Sequence, residues 1–487
     1  MSLQDGAPRA LKPPVRVKFF YGLGQVVQSG GFDTALVFVF FYYTAVLGMP
    51  GLLAGAAVGI SLCVDAVADP LVGSWSDNVR SRWGRRLPLM VLSIPLVALG
   101  FGLLFSPPAG LAGAGLFIWL LVFSIAARCA TSLFNVPYIA LGAELADGYV
   151  ERSRVVVWRT VLGLLATVFI VVLAYSVFFA RDDGLRRATA YPGFGWATAV
   201  VLAIGMGLCC AGVARYAAAL PQATTDAAPM MRRLPSEVAE IFSNRSFRTL
   251  FFACLVVMVA IGVNATFNNH VNVYVWQITP AHIQTLTFGL LLGTLVGVSA
   301  APLIQRRLEK RTLVMIGVTM LNLAWLVLPL IRAAGLYRPV GDDAVAPLMG
   351  MVAFAGVGIG LVLVAFPSMM ADAADEHELL HDRRREGLYF AGLAFAGKAA
   401  SGLGVLTAGV ALDLVGMPHE ALLGALAAIP EDVRVRLVIA AGPVAAVISA
   451  VGVMFLWPYA ISRTEHDRIS EALRARRGPA QEPAQAS

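Results

Sequence analysis

Charge is scarce in this chain. Only 14% of its 487 residues are Asp, Glu, Lys or Arg, against roughly 25% in an ordinary soluble protein. With 58% apolar residues and a mean hydropathy of +0.75, it is excluded as a soluble enzyme, a nucleic-acid binder or a disordered scaffold. Cysteine is scarce too. Cys63, Cys129, Cys209, Cys210 and Cys254 all fall inside apolar runs, where they act as small apolar side chains and form neither a disulfide framework nor a metal-ligand spacing. No GxxxxGK[ST] loop is present, which argues against a nucleotide-driven pump. The polar loops hold no nucleophile–base pair, so no enzyme and no cofactor is expected. The first apolar run lacks a small-residue cleavage site and is expected to stay in place.

What the chain has is long apolar runs, almost end to end. A spanning helix needs roughly 20 apolar residues, and twelve such segments fall near 17–46, 51–76, 87–106, 111–143, 155–180, 194–218, 247–277, 282–305, 312–332, 344–371, 387–415 and 434–462. Outer-membrane barrels give short alternating segments instead, so the pattern predicts an all-α membrane protein in a lipid bilayer. Lys and Arg set its orientation. Twenty-six of the 37 lie in loops on one side and seven on the other, which predicts both termini in the cytoplasm and a plasma (inner) membrane location. The net charge of +7 is then a topology signal that needs no nucleic acid.

The longest connection, 221–246, is rich in proline and contains Arg232 and Arg233. It separates six spans from six: a segment 1–16, a bundle over 17–220, the linker, a second bundle over 247–462 and a tail over 463–487. An even number of spans per half makes the halves parallel, as in transporters built from two repeats. Pro70-Leu71-Val72 and Pro302-Leu303-Ile304 close the second span of each half, and the glycine ladders Gly51/Gly55/Gly59 and Gly289/Gly293/Gly297 suit close helix packing.

A charged group at mid-bilayer costs about 3 kcal/mol or more, so each that persists is a functional candidate. These are Asp33, Asp65, Asp69, Arg128, Arg159, His270 and Lys398. Asp65 and Asp69, four apart, share a helix face at about 6 Å. Two such anions repel unless a cation or proton sits between them, which points to a site for Na⁺, H⁺ or an ammonium group. A local role for Asp69, bracing the helix end before Pro70, is the alternative. Lys398 has no carboxylate within helical reach in its own span. Asn264, Asn268, Asn269 and His270 form a polar cluster in the seventh span; amides bind hydroxylated ligands and also glue helices together. His270 fits a packing role better than a titrating one.

The run from Asp65 through Asp69-Pro70-Leu71-Val72-Gly73 and Ser76-Asp77 to Arg80-Ser81-Arg82-Trp83-Gly84-Arg85-Arg86 resembles the glycoside-pentoside-hexuronide:cation symporter family of the major facilitator superfamily. So do Tyr21-Gly22-Leu23-Gly24, Asn135-Val136-Pro137-Tyr138, Trp158-Arg159 and Arg385-Glu386-Gly387-Leu388-Tyr389-Phe390. The resemblance implies twelve helices in two six-helix bundles, the major facilitator fold, with a central cavity and alternating access. It implies a cation site at Asp65 and Asp69, with Lys398 sensing its occupancy and Ser132 matching the fourth-span hydroxyl of the melibiose permease branch. Gly73, Asp77, Arg85 and Arg86 match the gating motif of the superfamily. Ala68 stands where an amide ligand is expected, which favours H⁺ and leaves Na⁺ open.

The substrate positions depart further. The acids that grip sugar hydroxyls in melibiose permease are replaced, the matching positions being Gln28, Ser29 and Asn135, while the arginine opening the fifth span is kept as Arg159. A guanidinium there suits an anionic group; anchoring at the interface is the other reading. With Asn268 and Asn269 these residues are expected to line the substrate path. Asp33 and Arg128 match no functional position of the family; a structural pair between the first and fourth spans and a substrate contact both stay open. The expectation is a monomeric, cation-coupled secondary transporter of a glycoside, uronide or sulfonated sugar. The rivals are a sodium-dependent lysolipid transporter of the same fold and a non-transporting membrane receptor. Import and export are not distinguished.

Overall fold

The computed structural model describes residues 13–146, 149–181, 183–219, 238–383, 385–416 and 429–477. Most of the expected linker 221–246, the start of the N-terminal segment 1–16 and the end of the tail 463–487 lie outside the described residues. Among those described there is no strand, and twelve helices are long and apolar enough to cross a membrane. They are α1 (Val15–Val46), α2 (Gly51–Asn78), α3 (Leu87–Leu104), α4 (Gly113–Glu144), α5 (Val150–Phe178), α6 (Ala190–Ala218), α7 (Arg245–Val275), α8 (Pro280–Gln305), α9 (Lys310–Ala333), α10 (Asp342–His381), α11 (Glu386–Val415) and α12 (Glu431–Met454). A further basic helix, α13, covers Arg463–Arg477. The expected spans and these helices differ at their ends. Helix α10 continues to His381, because Asp372, Asp375, Glu376 and Glu378 extend the helical pattern beyond the apolar run. Helix α12 stops at Met454, after an interruption at Gly442-Pro443, where proline brings no backbone donor.

The chain divides into two compact units. The first comprises 1–226, 279–284 and 405–429, and the second 227–278, 285–404 and 430–487. In the first unit α1–α6 pack together and the C-terminal part of α11, from Val405 on, lies against α2. In the second, α8 and α10 approach until a Cβ on Gly293 would meet the Ala353 carbonyl at 2.2 Å, and one on Gly297 the Val357 carbonyl at 2.2 Å. Lipid tails are as apolar as leucine, so helices in a bilayer gain by this backbone proximity rather than by escaping water. Gly51 and Gly55 play the same part in the first unit, against Gly409 and Val405.

The first helix of each half ends in the same way. Tyr42–Val46 and Val271–Val275 are π turns. After them Leu47 N–H bonds Tyr42 O at 3.0 Å and Met49 N–H bonds Tyr43 O at 2.9 Å; Trp276 and Ile278 bond Val271 and Asn272 at 3.0 and 3.1 Å. Between each pair of donors stands one residue of positive φ, Gly48 (+70°) and Gln277 (+51°). Pro50 then stands just before α2 and Pro280 opens α8, positions where a missing N–H costs nothing. The internal repeat, faint in sequence, is plain in this backbone.

Candidate functional site

Helix α1 carries a second π stretch, Val27–Ala35, which widens the turn under Gln28, Ser29 and Asp33. Widened turns of this kind concentrate at functional sites because they re-aim side chains. Gln28 Nε2 donates to Asp33 Oδ1 at 2.9 Å, and Asp33 is exposed although it lies in a membrane helix. Ser29 is half-buried beside Gln25, whose amide donates to its hydroxyl at 3.3 Å.

Two polar rungs join α2 to α4. On the first, Ser132 Oγ donates to Asp65 Oδ1 at 2.5 Å, and both residues are buried. On the second, one turn away on both helices, Arg128 Nε donates to Ser61 Oγ at 2.9 Å. Ser61 in turn donates to Val58 O. The guanidinium of Arg128 lies over the Phe32 ring at 5.0 Å, is 6% exposed and keeps one buried nitrogen, Nη2, without a hydrogen-bond acceptor among the described residues. Asp69 is half-buried one turn beyond Asp65, and Cys129, next to Arg128 on α4, is half-buried. Of the expected cation ligands, the structure joins Asp65 and Ser132 directly. Lys398 is half-buried in the part of α11 that belongs to the second unit.

The motifs scattered through the first half meet at one place. Tyr21 stacks on Tyr138 at 4.5 Å and its hydroxyl donates to Tyr138 O at 3.3 Å. Cβ atoms on Gly22 and Gly24 would strike the Trp158 carbonyl at 2.8 Å and the Tyr138 ring at 2.5 Å. Arg159 stands beside the Tyr21 and Tyr138 hydroxyls, and Asn135 lies half-buried one turn before Tyr138. On α7, Asn268 is exposed whereas Asn269 and His270 are fully buried. His270 packs near Phe267 and Tyr274, which is the packing role. Asn264 donates to Ala441 O at 3.0 Å, the helix-gluing role, and Asn272 donates to Asn268 at 3.2 Å.

At the basic end of the first unit, Arg86 contacts Asp77 at 2.6 Å and donates to Ser76 Oγ at 2.9 Å. Arg85 and Arg86 both reach Glu144 Oε1 on α4, at 2.7 and 3.0 Å. Gly73 sits where, among the described residues, a Cβ would touch only Val136, at 3.6 Å. Gly84, at φ +84°, brings the loop against the Ala217 carbonyl. The second unit has a counterpart: Lys310, opening α9, reaches both oxygens of Asp372 on α10 at 2.7 Å, and His466 of α13 lies 3.5 Å from the same carboxylate. Glu144, Lys310 and Asp372 were not singled out from sequence. The only signal for Glu144 was an acid in the last turn of its span, and acids there are ordinary.

Residues 20–463 match the family described as MFS/sugar transport protein, and the chain belongs to that family. It is a multi-pass membrane transporter with the major facilitator fold, not an enzyme. It is similar to the uncharacterized symporter sll1374 of Synechocystis sp., at 24% identity over 94% of this chain and 96% of that one. The glucuronide carrier protein homolog of Escherichia coli is 23% identical over 79% of this chain and 80% of its own length. The sodium-dependent lysophosphatidylcholine symporter 1 of Xenopus tropicalis is 34% identical, over 21% of this chain and 20% of that one. Among solved structures the inward-open xylose transporter XylE of E. coli superposes with a TM-score of 0.61 at 10% identity, covering 94% of this chain and 99% of that one.

Proposed function

We propose that the chain is a symporter of the inner membrane that couples the movement of H⁺ or Na⁺ to that of a small molecule carrying hydroxyls and an anionic group. The observation that carries this reading is the buried Asp65, hydrogen-bonded to Ser132, with Asp69 one turn along the same helix. A carboxylate pair in a membrane interior is costly and is stabilised by a bound cation or proton, so its occupancy is tied to the transport cycle. Lys398 takes the role that the family resemblance gives it, sensing that occupancy. A change in occupancy shifts a two-state equilibrium between conformations.

The same reading assigns Gln28, Ser29, Asn135, Asn268 and Asn269 to the substrate path and Arg159 to an anionic group of the substrate. Relatives are named for glucuronide, which carries a carboxylate beside hydroxyls, and for lysophosphatidylcholine, which carries a phosphate; an anionic group in each supports the role of Arg159. Gly73, Asp77, Arg85 and Arg86 latch the basic end of the first bundle during the cycle. The bundles are taken as 17–220 and 247–462, joined by the linker 221–246, and one copy suffices for transport.

Proteoliposomes test this. A panel of glycosides, glucuronides, sulfonated sugars and lysophospholipids is offered under imposed Na⁺ or H⁺ gradients. Gradient-driven uptake of at least one anionic compound is expected, and Asp65→Asn or Asp69→Asn should abolish the drive while leaving the protein folded. Uptake indifferent to both gradients and to both substitutions sinks the coupling. A lysophospholipid taken up in preference to every sugar would make this a lipid transporter of the same fold.

A further inference from the structure

Asp33 and Arg128 are intramembrane charges to which the cation and substrate sites give no task. Their placement is specific. Ser61 and Asp65 are four apart on α2, and Arg128 and Ser132 four apart on α4, so the Ser61–Arg128 rung lies one helical turn from the Asp65–Ser132 rung. A guanidinium is thereby fixed next to the carboxylate that the reading above gives to the coupling cation. It is held by Ser61 and by the Phe32 face, and it does not lose its proton under any physiological condition. Asp33 directly follows Phe32 on α1, in the π stretch that also carries Gln28 and Ser29.

Resting on the cation-site reading, we propose that Arg128 sets the cation affinity of the Asp65–Asp69 site and that Asp33 is the counter-charge that limits its effect. Two carboxylates one turn apart in a low-dielectric interior attract a cation strongly. A carrier has to release that cation in every cycle, and a resident positive charge one turn away weakens the hold on Na⁺ and H⁺ alike. Asp33 offsets part of that charge. Because Gln28 donates to Asp33, a substrate hydroxyl that binds at Gln28 or Asp33 alters the field that Arg128 exerts at Asp65. The reverse holds by linkage, so cation and substrate affect each other's binding by the same factor. The other groups of this environment, Asp69 and the Cys129 thiol, are common to every variant below.

The experiment measures binding of radioactive sodium ion alone to the purified full-length protein. Arg128→Gln is expected to tighten sodium binding roughly tenfold, the scale of one screened charge a few ångströms away. Asp33→Asn is expected to weaken it, and Arg128→Lys to restore the wild-type value because it restores the charge. Opposite signs from two neighbouring substitutions are not produced by a merely structural role. The second measurement is the infrared carboxyl band followed against pH. Removing the positive charge moves its midpoint upward in Arg128→Gln, and removing the negative one moves it downward in Asp33→Asn. This decides the matter where sodium binding is too weak to read, and Asp33→Asn carries the test if Arg128→Gln does not fold. Midpoints and sodium affinities that stay put, or move together in one direction, overturn the proposal. Wild-type sodium binding and an unchanged carboxyl band in Asp65→Asn would instead overturn the cation-site reading on which it rests.

Discussion

Glu144 carries two guanidinium groups on one carboxylate oxygen. Asp77, Arg85 and Arg86 were legible because they occur in one short run of sequence, where an acid among arginines has no topological reason to exist. The partner that the two arginines share was not, since Glu144 lies 58 residues beyond Arg86 and only the packing of α4 beside the loop brings it near. Arg86 is 8% exposed, so it depends on its acceptors. Glu144→Gln removes the anion that Arg85 and Arg86 share and should lower stability by about 1–3 kcal/mol. Thermal unfolding of the purified protein measures this; an unchanged midpoint would show that Asp77 and Ser76 alone satisfy Arg86.

At the scale of elements, the spans and their apolar faces follow from composition, whereas their ends depend on partners. Helix α2 begins after Pro50, and its first donors are met by another helix: Gly51 and Leu52 N–H bond the two oxygens of Asp413 on α11 at 2.7 and 2.8 Å. A carboxylate at a helix start satisfies orphan donors and complements the positive end of the helix dipole. Asp413→Ala should cost about 1 kcal/mol and speed amide exchange at Gly51 and Leu52 specifically. Exchange that stays slow there would show that the close approach of Gly51 to Gly409 protects the turn without the carboxylate.

The short helix over 238–243 is held by Glu240, which accepts from His377 Nε2 and from Arg385 Nη2, both at 3.3 Å. Burial pushes the Glu240 carboxyl up, but the Arg385 charge and the hydrogen bonds from His377 and Arg385 outweigh it and hold it below its usual range. A carboxylate whose folded value is depressed contributes stability above its unfolded value, about 4.3, and loses it as pH falls through the folded one. Opening of this helix, read as amide exchange relative to the intrinsic rate at each pH, should therefore be flat from neutrality to about pH 5 and rise only below about pH 4. A rise that is complete before pH 5 would place the control on His377 instead.

At the scale of the whole molecule, the excess of Lys and Arg in alternate loops carries one more prediction. Reporter domains that are active only inside the cell should work when fused to either terminus and fail in the loop between α1 and α2. A working reporter in that loop would reverse the assigned topology. The sequence by itself determined the solvent of this protein, the number of its spanning helices and the residues too costly to keep in a membrane without a use. These follow from local properties: hydropathy over about 20 residues and the penalty on each buried charge. The tertiary structure alone decided which of those charges meet. The Asp65–Ser132 and Ser61–Arg128 rungs, the two arginines on Glu144 and the Asp413 cap each join residues far apart in the chain. Their geometry depends on how closely small side chains let two helix backbones approach, and no local pattern encodes that distance.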